Sequence, residues 1–288
     1  MTDGSTPVVF VHGLWLHNTS WGPWEQLFRE SGYDPLAPGW PGEAATVEET
    51  RRDPAKVAGY GIDDVVEHYA QIIRGLPNQP VVIGHSFGGL VVQRLLGQGL
   101  ATAGIAIDPA PIKGVLNVPV SALRVASIGL RSPANREKAV SLTAEQFRYG
   151  FGNALSERES SELFELWAVP SPAKPLFEDA RANFTPRSPA KVNTASVTRG
   201  PLLITAGGKD HTVPASISTA TRKQYHKSPA ITDFVEFPDR GHSLTIDSGW
   251  RTVADYALDW LSRRNLAFAL RLKVAMLSSL VICEGTSL

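Results

Sequence analysis

The sequence predicts an α/β protein: a mostly parallel sheet of about six strands flanked by helices, with an inserted helical cap. Three observations carry this expectation. Short apolar runs at residues 7–11, 81–83, 104–108, 201–205 and 231–237 alternate with amphipathic stretches of helical period. Strands covered on both faces read as unbroken apolar runs, and their alternation with helices marks a parallel sheet. The strand at 81–83 runs through Gly84-His85-Ser86-Phe87-Gly88-Gly89 into a helix-forming stretch beginning Leu90-Val91-Val92. Residues 111–199 then break the rhythm with prolines at 111, 119, 133, 170, 172, 175, 186 and 189. That segment is too long for a plain loop in a compact domain.

Taken in order, Pro7 precedes the first strand and His12-Gly13 ends it. Trp21, Trp24, Leu27 and Phe28 follow at helical spacing, with Ser20 as expected N-cap, Pro23 in the first turn and Gly32 as the stop. Residues 33–38 form a second strand-like run leading to the loop Gly39-Trp40-Pro41-Gly42, and residues 43–60 are polar and carry no clear period. From 61 to 76, Ile62, Val65, Val66, Tyr69, Ile72 and Ile73 share one helical face. Within 111–199, helical pieces are expected around 143–152, 156–168 and 175–184, with Phe147, Tyr149, Phe151, Phe164, Trp167, Phe177 and Phe184 as a packing surface. Sheet rhythm resumes at 201–205, followed by a helix at 215–227, a strand at 231–237 and a closing helix from 250 to 264. Residues 1–110 and 200–265 are thus expected to form one discontinuous core, 111–199 a cap, and 266–288 a tail.

Composition narrows the function. The 288 residues carry 28 basic and 28 acidic side chains, so no electrostatic footprint for nucleic acid is present. The single cysteine, Cys283, cannot close an internal disulfide, which suits a reducing compartment. Met1-Thr2-Asp3-Gly4 holds no basic region, and the apolar run 8–11 is too short for a signal-peptide core, so a cytoplasmic location is expected.

The chemistry is expected where strands end. Gly84-x-Ser86-x-Gly88 between strand and helix is the context of a nucleophile elbow, a tight turn that exposes a strained serine. Serine is a poor nucleophile near neutral pH and needs a base, which in turn needs an orienting acid. Two further strand ends supply Asp210 and His242, in the order nucleophile, acid, histidine. Two backbone N–H groups are expected to receive the oxyanion: Phe87, at the N-terminus of the elbow helix, and Leu14, in the turn after the first strand. Asp108 also ends a strand and is the rival acid; it would otherwise brace the entry to the cap. His85 is expected to point away from the site, His12 to bond its own loop, and His211 to be a bystander. Trp15, His17, Phe147, Phe151 and Trp167 are the candidate pocket residues, and Trp21, Trp24 and Trp40 add to an apolar surround. No cluster has metal-ligand spacing, so neither metal nor other cofactor is expected.

Together, His12-Gly13, Gly84-x-Ser86-x-Gly88, Gly207-x-x-Asp210-x-x-Val213-Pro214 and Gly241-His242 resemble the α/β-hydrolase superfamily across residues 7–264. The chain departs from the family pattern by starting at what the family counts as its third strand. The Gly-x-x-Asp-x-x-Val-Pro context favours Asp210 over Asp108 as the acid. The resemblance implies a serine esterase acting on small to medium acyl or aryl esters, with lactones next. Ser86 argues against the dehalogenases and epoxide hydrolases of the superfamily, which carry aspartate at the elbow. Ser243 argues against its hydroxynitrile lyases, which carry lysine after the histidine. Cofactor-free haloperoxidases or perhydrolases share the triad, and some relatives are ligand receptors with little turnover; both readings stay open. The partner expected is a small-molecule ester, and a homodimer stays open.

Residues 266–283 are apolar nearly all round but hold Arg271 and Lys273. Each charge would cost about 2.5–3.5 kcal/mol at a bilayer centre, which argues against a membrane anchor. Truncation after Arg264 is expected to leave activity intact.

Overall fold

A computed structural model describes residues 5–266. The readings made above for the N-terminal four residues, Cys283 and the apolar tail lie outside the described residues.

Six strands make one parallel sheet: β1 (Thr6–Val11), β2 (Tyr33–Leu36), β3 (Val81–His85), β4 (Ala103–Ile107), β7 (Leu202–Gly207) and β8 (Thr232–Phe237), in the order β2-β1-β3-β4-β7-β8. A two-residue pair, β5 (Ala139–Val140) with β6 (Ser171–Pro172), lies apart from it. The helices are α1 (Gly22–Glu30), α2 (Val47–Arg52), α3 (Ile62–Arg74), α4 (Phe87–Gly97), α5 (Val120–Leu130), α6 (Ala144–Gly150), α7 (Glu157–Trp167), α8 (Lys174–Ala180), α9 (Ala215–Lys223) and α10 (Trp250–Arg263).

Alternation along each strand divides the core into two layers. Val9, Val11, Val82 and Ile204 face one side and pack with Val65 and Tyr69 of α3, Leu90 and Leu95 of α4, and Ile217 of α9. Val8, Phe10, Ile83, Ile105 and Leu203 face the other side and pack with Trp24 and Phe28 of α1 and with Val253, Ala257 and Leu261 of α10. Both faces are covered, which is why these strands carry no polar alternation. The edges are protected differently. The outer strand β2 holds Pro35, while β8 carries Asp233, which accepts a hydrogen bond from Trp260 Nε1 (2.7 Å) and pairs with Arg264.

The topology fixes where a site can form. From β1 the chain crosses to β2 on one side and then returns past β1 to β3 on the other. Between β1 and β3 the order reverses, and open parallel sheets leave a crevice outside the carboxyl ends of strands at such a point. Val11 pairs with Gly84, so His12-Gly13-Leu14 leaves the sheet beside His85-Ser86.

Several local expectations are corrected. Ser20 does not cap α1; it lies in a 3-10 turn, Asn18–Trp21, whose cap is His17, and α1 starts after Trp21. The polar stretch 43–60 contains α2, capped by the Thr46 side chain, and a 3-10 turn, Pro54–Val57. Helix α5 was not anticipated. Its buried face is made of Ala122, Val125 and Gly129, while Val120 and Leu123 are exposed, so no apolar stripe marks it.

Segment 111–199 is laced to the turn after β1. Val169 N donates to Trp15 O (3.0 Å) and His17 N to Trp167 O (3.0 Å). Trp15 N donates to Ser171 Oγ (2.6 Å) and Trp15 Nε1 to Val140 O (3.0 Å). Among the described residues no helix is long and apolar enough to cross a membrane.

Candidate active site

Four non-glycine residues among those described have positive φ, and three of them follow the carboxyl ends of β1, β3 and β4: Trp15 (67°), Ser86 (57°) and Asp108 (43°). Such backbone costs about 1–3 kcal/mol per residue and persists only where surrounding contacts over-determine it. At Ser86 those contacts are its N–H donating to Ile107 O (2.9 Å) and its carbonyl accepting from Gly89 N and Ala110 N (2.9 Å each). The packing of α4 against β3 and β1 leaves no room for side chains at the two glycines. A Cβ on Gly84 would sit 2.3 Å from Gly88 O, and one on Gly88 would sit 2.1 Å from Val11 O. Gly13 meets the serine itself: a Cβ there would lie 2.6 Å from Ser86 Cβ.

Asp210 leaves the end of β7 in a turn closed by its own side chain. Its Oδ1 accepts from Thr212 N (2.6 Å) and Val213 N (2.8 Å), and its Oδ2 lies 2.6 Å from His242 Nδ1. Burial alone would raise this carboxyl. The His242 charge and hydrogen bond, with those from Asp108 and Val213, outweigh burial and hold it below its ordinary value. His242 is fully buried, and its Nε2 has no hydrogen-bond partner among the described residues. The loop carrying it is anchored by buried Asp247, which pairs with Arg240 and accepts from Ser243 Oγ (3.1 Å) and Gly249 N (3.0 Å). Trp24 Nε1 adds a bond to Thr245 O at 2.9 Å.

Among the described residues no acceptor meets the N–H of Leu14 or of Phe87. Both groups border Ser86, one through Gly13 and one as its chain neighbour. Beside them lies a cavity lined by Ser86, Phe87, Trp15, Leu176, Asp179 and Val213, among others.

Of the five candidate pocket residues, Trp15 lines this cavity. Phe151 packs its ring edge-on against His242 (4.8 Å between centroids) and stacks on Phe147 (4.9 Å), so these two back the histidine without lining the cavity. His17 is fully buried on Glu43, and Trp167 meets the β1 turn through its carbonyl; neither lines the cavity. Trp21 and Trp24 belong to the core layer around Phe10, and Trp40 packs on His12 at 5.6 Å. His85 does not turn away: its ring lies 4.5 Å from that of His242. Burial, followed by the nearby His242 charge, holds it well below the ordinary histidine value, so it packs there as a neutral ring. His12 does bond its own loop, through Nδ1 to Gly13 O (2.9 Å), and His211 is held by Tyr149 O (3.1 Å).

Asp108 does not brace the entry to the cap. Its Oδ2 accepts from Gly207 N (3.0 Å), which turns the carboxyl toward Asp210. Asp108, Asp210 and His242 offer atoms within 4.8 Å of one another, a grouping that would also suit a cation, but hydrogen bonds inside the cluster already occupy them.

Two residues of the site escaped the sequence reading. Glu43 sits in the stretch without a period, and nothing local marks it. Asp179 follows buried Leu176 by three residues, which puts both on one face of α8; that spacing was the available signal.

Residues 8–256 match the alpha/beta hydrolase family, and the chain belongs to it. A search of curated proteins returns no match. Among solved structures, a monoacylglycerol lipase from Paleococcus ferrophilus aligns with 21% identity over 90% of this chain and 95% of its own, at a TM-score of 0.61. A thermophilic esterase from Thermogutta terrifontis aligns with 17% identity over 92% of both chains, at 0.63. A methylesterase from Arabidopsis aligns with 16% identity over 89% of this chain and 99% of its own, at 0.61. At these identities the likeness is one of fold.

Proposed function

We propose that the protein is a serine hydrolase of carboxylic esters with small to medium acyl or aryl groups. The observation that carries this reading is His242: Nδ1 is held by a buried carboxylate, Nε2 has no partner among the described residues, and its ring lies 4.5 Å from that of His85, the residue before Ser86 and its strained backbone. A histidine fixed in this way is oriented to take a proton at Nε2 and to carry the resulting charge. In unliganded sites the serine–histidine bond is often open and tightens when substrate enters.

Ser86 Oγ attacks the ester carbonyl carbon and passes its proton to His242 Nε2. The oxyanion is received by the N–H groups of Leu14 and Phe87, each contributing about 3–4 kcal/mol of barrier stabilisation. His242 then gives its proton to the departing alkoxide, leaving an acyl group on Ser86. Water, deprotonated by the same nitrogen, attacks the acyl carbon; the acid leaves and Ser86 regains its proton. Asp210 keeps its charge throughout and stabilises the imidazolium.

The test is hydrolysis of p-nitrophenyl esters from two to twelve carbons by wild type, Ser86→Ala and His242→Ala. Sustained turnover that both substitutions abolish, with an acyl adduct on Ser86 seen by mass spectrometry, supports the reading. A single stoichiometric release by wild type with no further turnover would sink it.

A further inference from the structure

Besides Ser86, the cavity has one polar side chain left open among the described residues, that of Asp179. Its other polar side chains are occupied: Thr212 Oγ1 donates to Gly150 O (2.8 Å) and Trp15 Nε1 to Val140 O (3.0 Å). Asp179 is the one charged residue of the lining, and among the described residues no donor or cation meets its carboxyl. Its neighbours on α8 are turned elsewhere. Glu178 accepts from Ile62 N (2.7 Å), and Lys174 Nζ bonds Gly59 O (3.0 Å) and lies 3.5 Å from Asp64. Burial pushes the Asp179 carboxyl up to about 8. A carboxyl held in an apolar cavity without partners costs stability, and a ligand that brings donors or positive charge recovers that cost. The lining also includes Trp15 and Phe87, residue types whose rings attract cations.

We propose that Asp179 sets the selectivity of this cavity, receiving a protonated amine carried by the acid or alcohol half of the ester. This rests on the ester-hydrolase reading above. The amine would place its N–H on the carboxylate and its alkyl groups on the apolar wall, while the scissile carbonyl reaches Ser86. A neutral ester of the same shape would leave the carboxyl unpaired, the situation in which a polar site discriminates most strongly.

An isosteric pair tests this: 2-(dimethylamino)ethyl acetate, protonated at neutral pH, and 3-methylbutyl acetate, which replaces the nitrogen by carbon. Released acetate is followed by pH-stat in the full-length protein. In wild type, kcat/KM is expected to favour the amine by at least about tenfold, and the ratio to fall to about one in Asp179→Asn and Asp179→Leu. A ratio is unmoved by a loss of folded enzyme, which lowers both rates together. Ser86-dependent hydrolysis of both esters with no preference, or a preference that survives both substitutions, overturns the inference and leaves the hydrolase reading standing. Hydrolysis of neither ester, nor of p-nitrophenyl acetate, overturns the hydrolase reading itself. Selectivity is then read as calorimetric binding of the two esters to Ser86→Ala, where equal affinity overturns the inference and Asp179-dependent preference for the amine upholds it.

Discussion

Asp108 and Asp210 follow the ends of two paired strands, β4 and β7, and their carboxyl groups meet within 4.8 Å of each other beside the His242 ring. Two carboxylates so placed oppose each other's ionisation. Burial, then the Asp210 charge and a hydrogen bond to it, push Asp108 well above the ordinary carboxylate range, while His242 and the surrounding donors hold Asp210 below it. Of the two, Asp108 is therefore the carboxyl that holds a proton more readily and can donate it to Asp210. Positive φ at Asp108 is the backbone cost of bringing the second carboxyl there.

That division of roles makes the two aspartates unequal under the same substitution. Asp210→Asn removes the charge that orients and stabilises His242 and is expected to lower kcat/KM about a thousandfold to ten-thousandfold. Asp108→Asn exchanges one neutral donor for another and is expected to cost about five- to tenfold, roughly 1 kcal/mol. Steady-state kinetics on one p-nitrophenyl ester decides between them; equal losses would mean that Asp108 carries the charge.

Asp179 gives a stability signature independent of activity. Its folded value of about 8 lies above the ordinary 3.8, so its contribution is fully present at low pH, where both states are protonated. As pH rises the unfolded chain ionises first, and the contribution is lost progressively until the folded carboxyl titrates. Asp179→Asn, which cannot ionise, should therefore match wild type in Tm near pH 4 and exceed it by about 3 °C or more at pH 8. A gap independent of pH would show that the carboxyl already has a partner.

Gly13 brings the turn after β1 against the serine. Adding one methyl there meets Ser86 Cβ at 2.6 Å and His85 O at 2.9 Å, so either the serine or the Leu14 N–H must move. Gly13→Ala is expected to lower kcat by about a hundredfold or more, the scale of losing one oxyanion donor, with circular dichroism showing the fold retained. Near-normal kcat in a folded variant would place the oxyanion elsewhere.

The sheet and the strand-end residues were legible because both are local. Unbroken apolar runs announce strands covered on two faces, and Gly84 is required by backbone approaching backbone within the same strand–turn–helix unit, while Gly88 is required by the close approach of β1. The order β2-β1-β3 then follows from crossover rules. What could not be read depends on contacts distant in sequence. His85 meets His242 across 157 positions, and Asp108 reaches Gly207 across 99. Helix α5 buries small side chains and so has no stripe, and Trp21 and Trp24, indistinguishable by composition from pocket aromatics, fill the layer under Phe10. Periodicity reports which face is buried, not what covers it.

Glu43 is the clearest case of a buried side chain without a local signal in the sequence. Its buried carboxylate holds the turn after β1 to the loop after β2, with His12 Nε2 at 2.7 Å and His17 Nε2 at 3.2 Å. It also accepts from Asn18 N (2.8 Å) and Trp40 N (3.1 Å). Burial would raise this carboxyl, but the two histidines and the Asn18 N–H together hold it below its ordinary 4.5. A depressed carboxylate contributes stability above its unfolded value and loses it as pH falls through the folded one. Glu43→Gln keeps the shape but turns an amide N–H toward groups that already donate, and breaking such a buried network costs about 3–5 kcal/mol. Its Tm should therefore lie well below that of wild type at pH 7, and the gap should narrow on acidification below about pH 4.5. Because Leu14 rides on the same turn, kcat should fall as well while KM for a short acyl ester changes little. A variant that loses Tm but keeps kcat would show that Glu43 supports the fold without holding the Leu14 N–H in place.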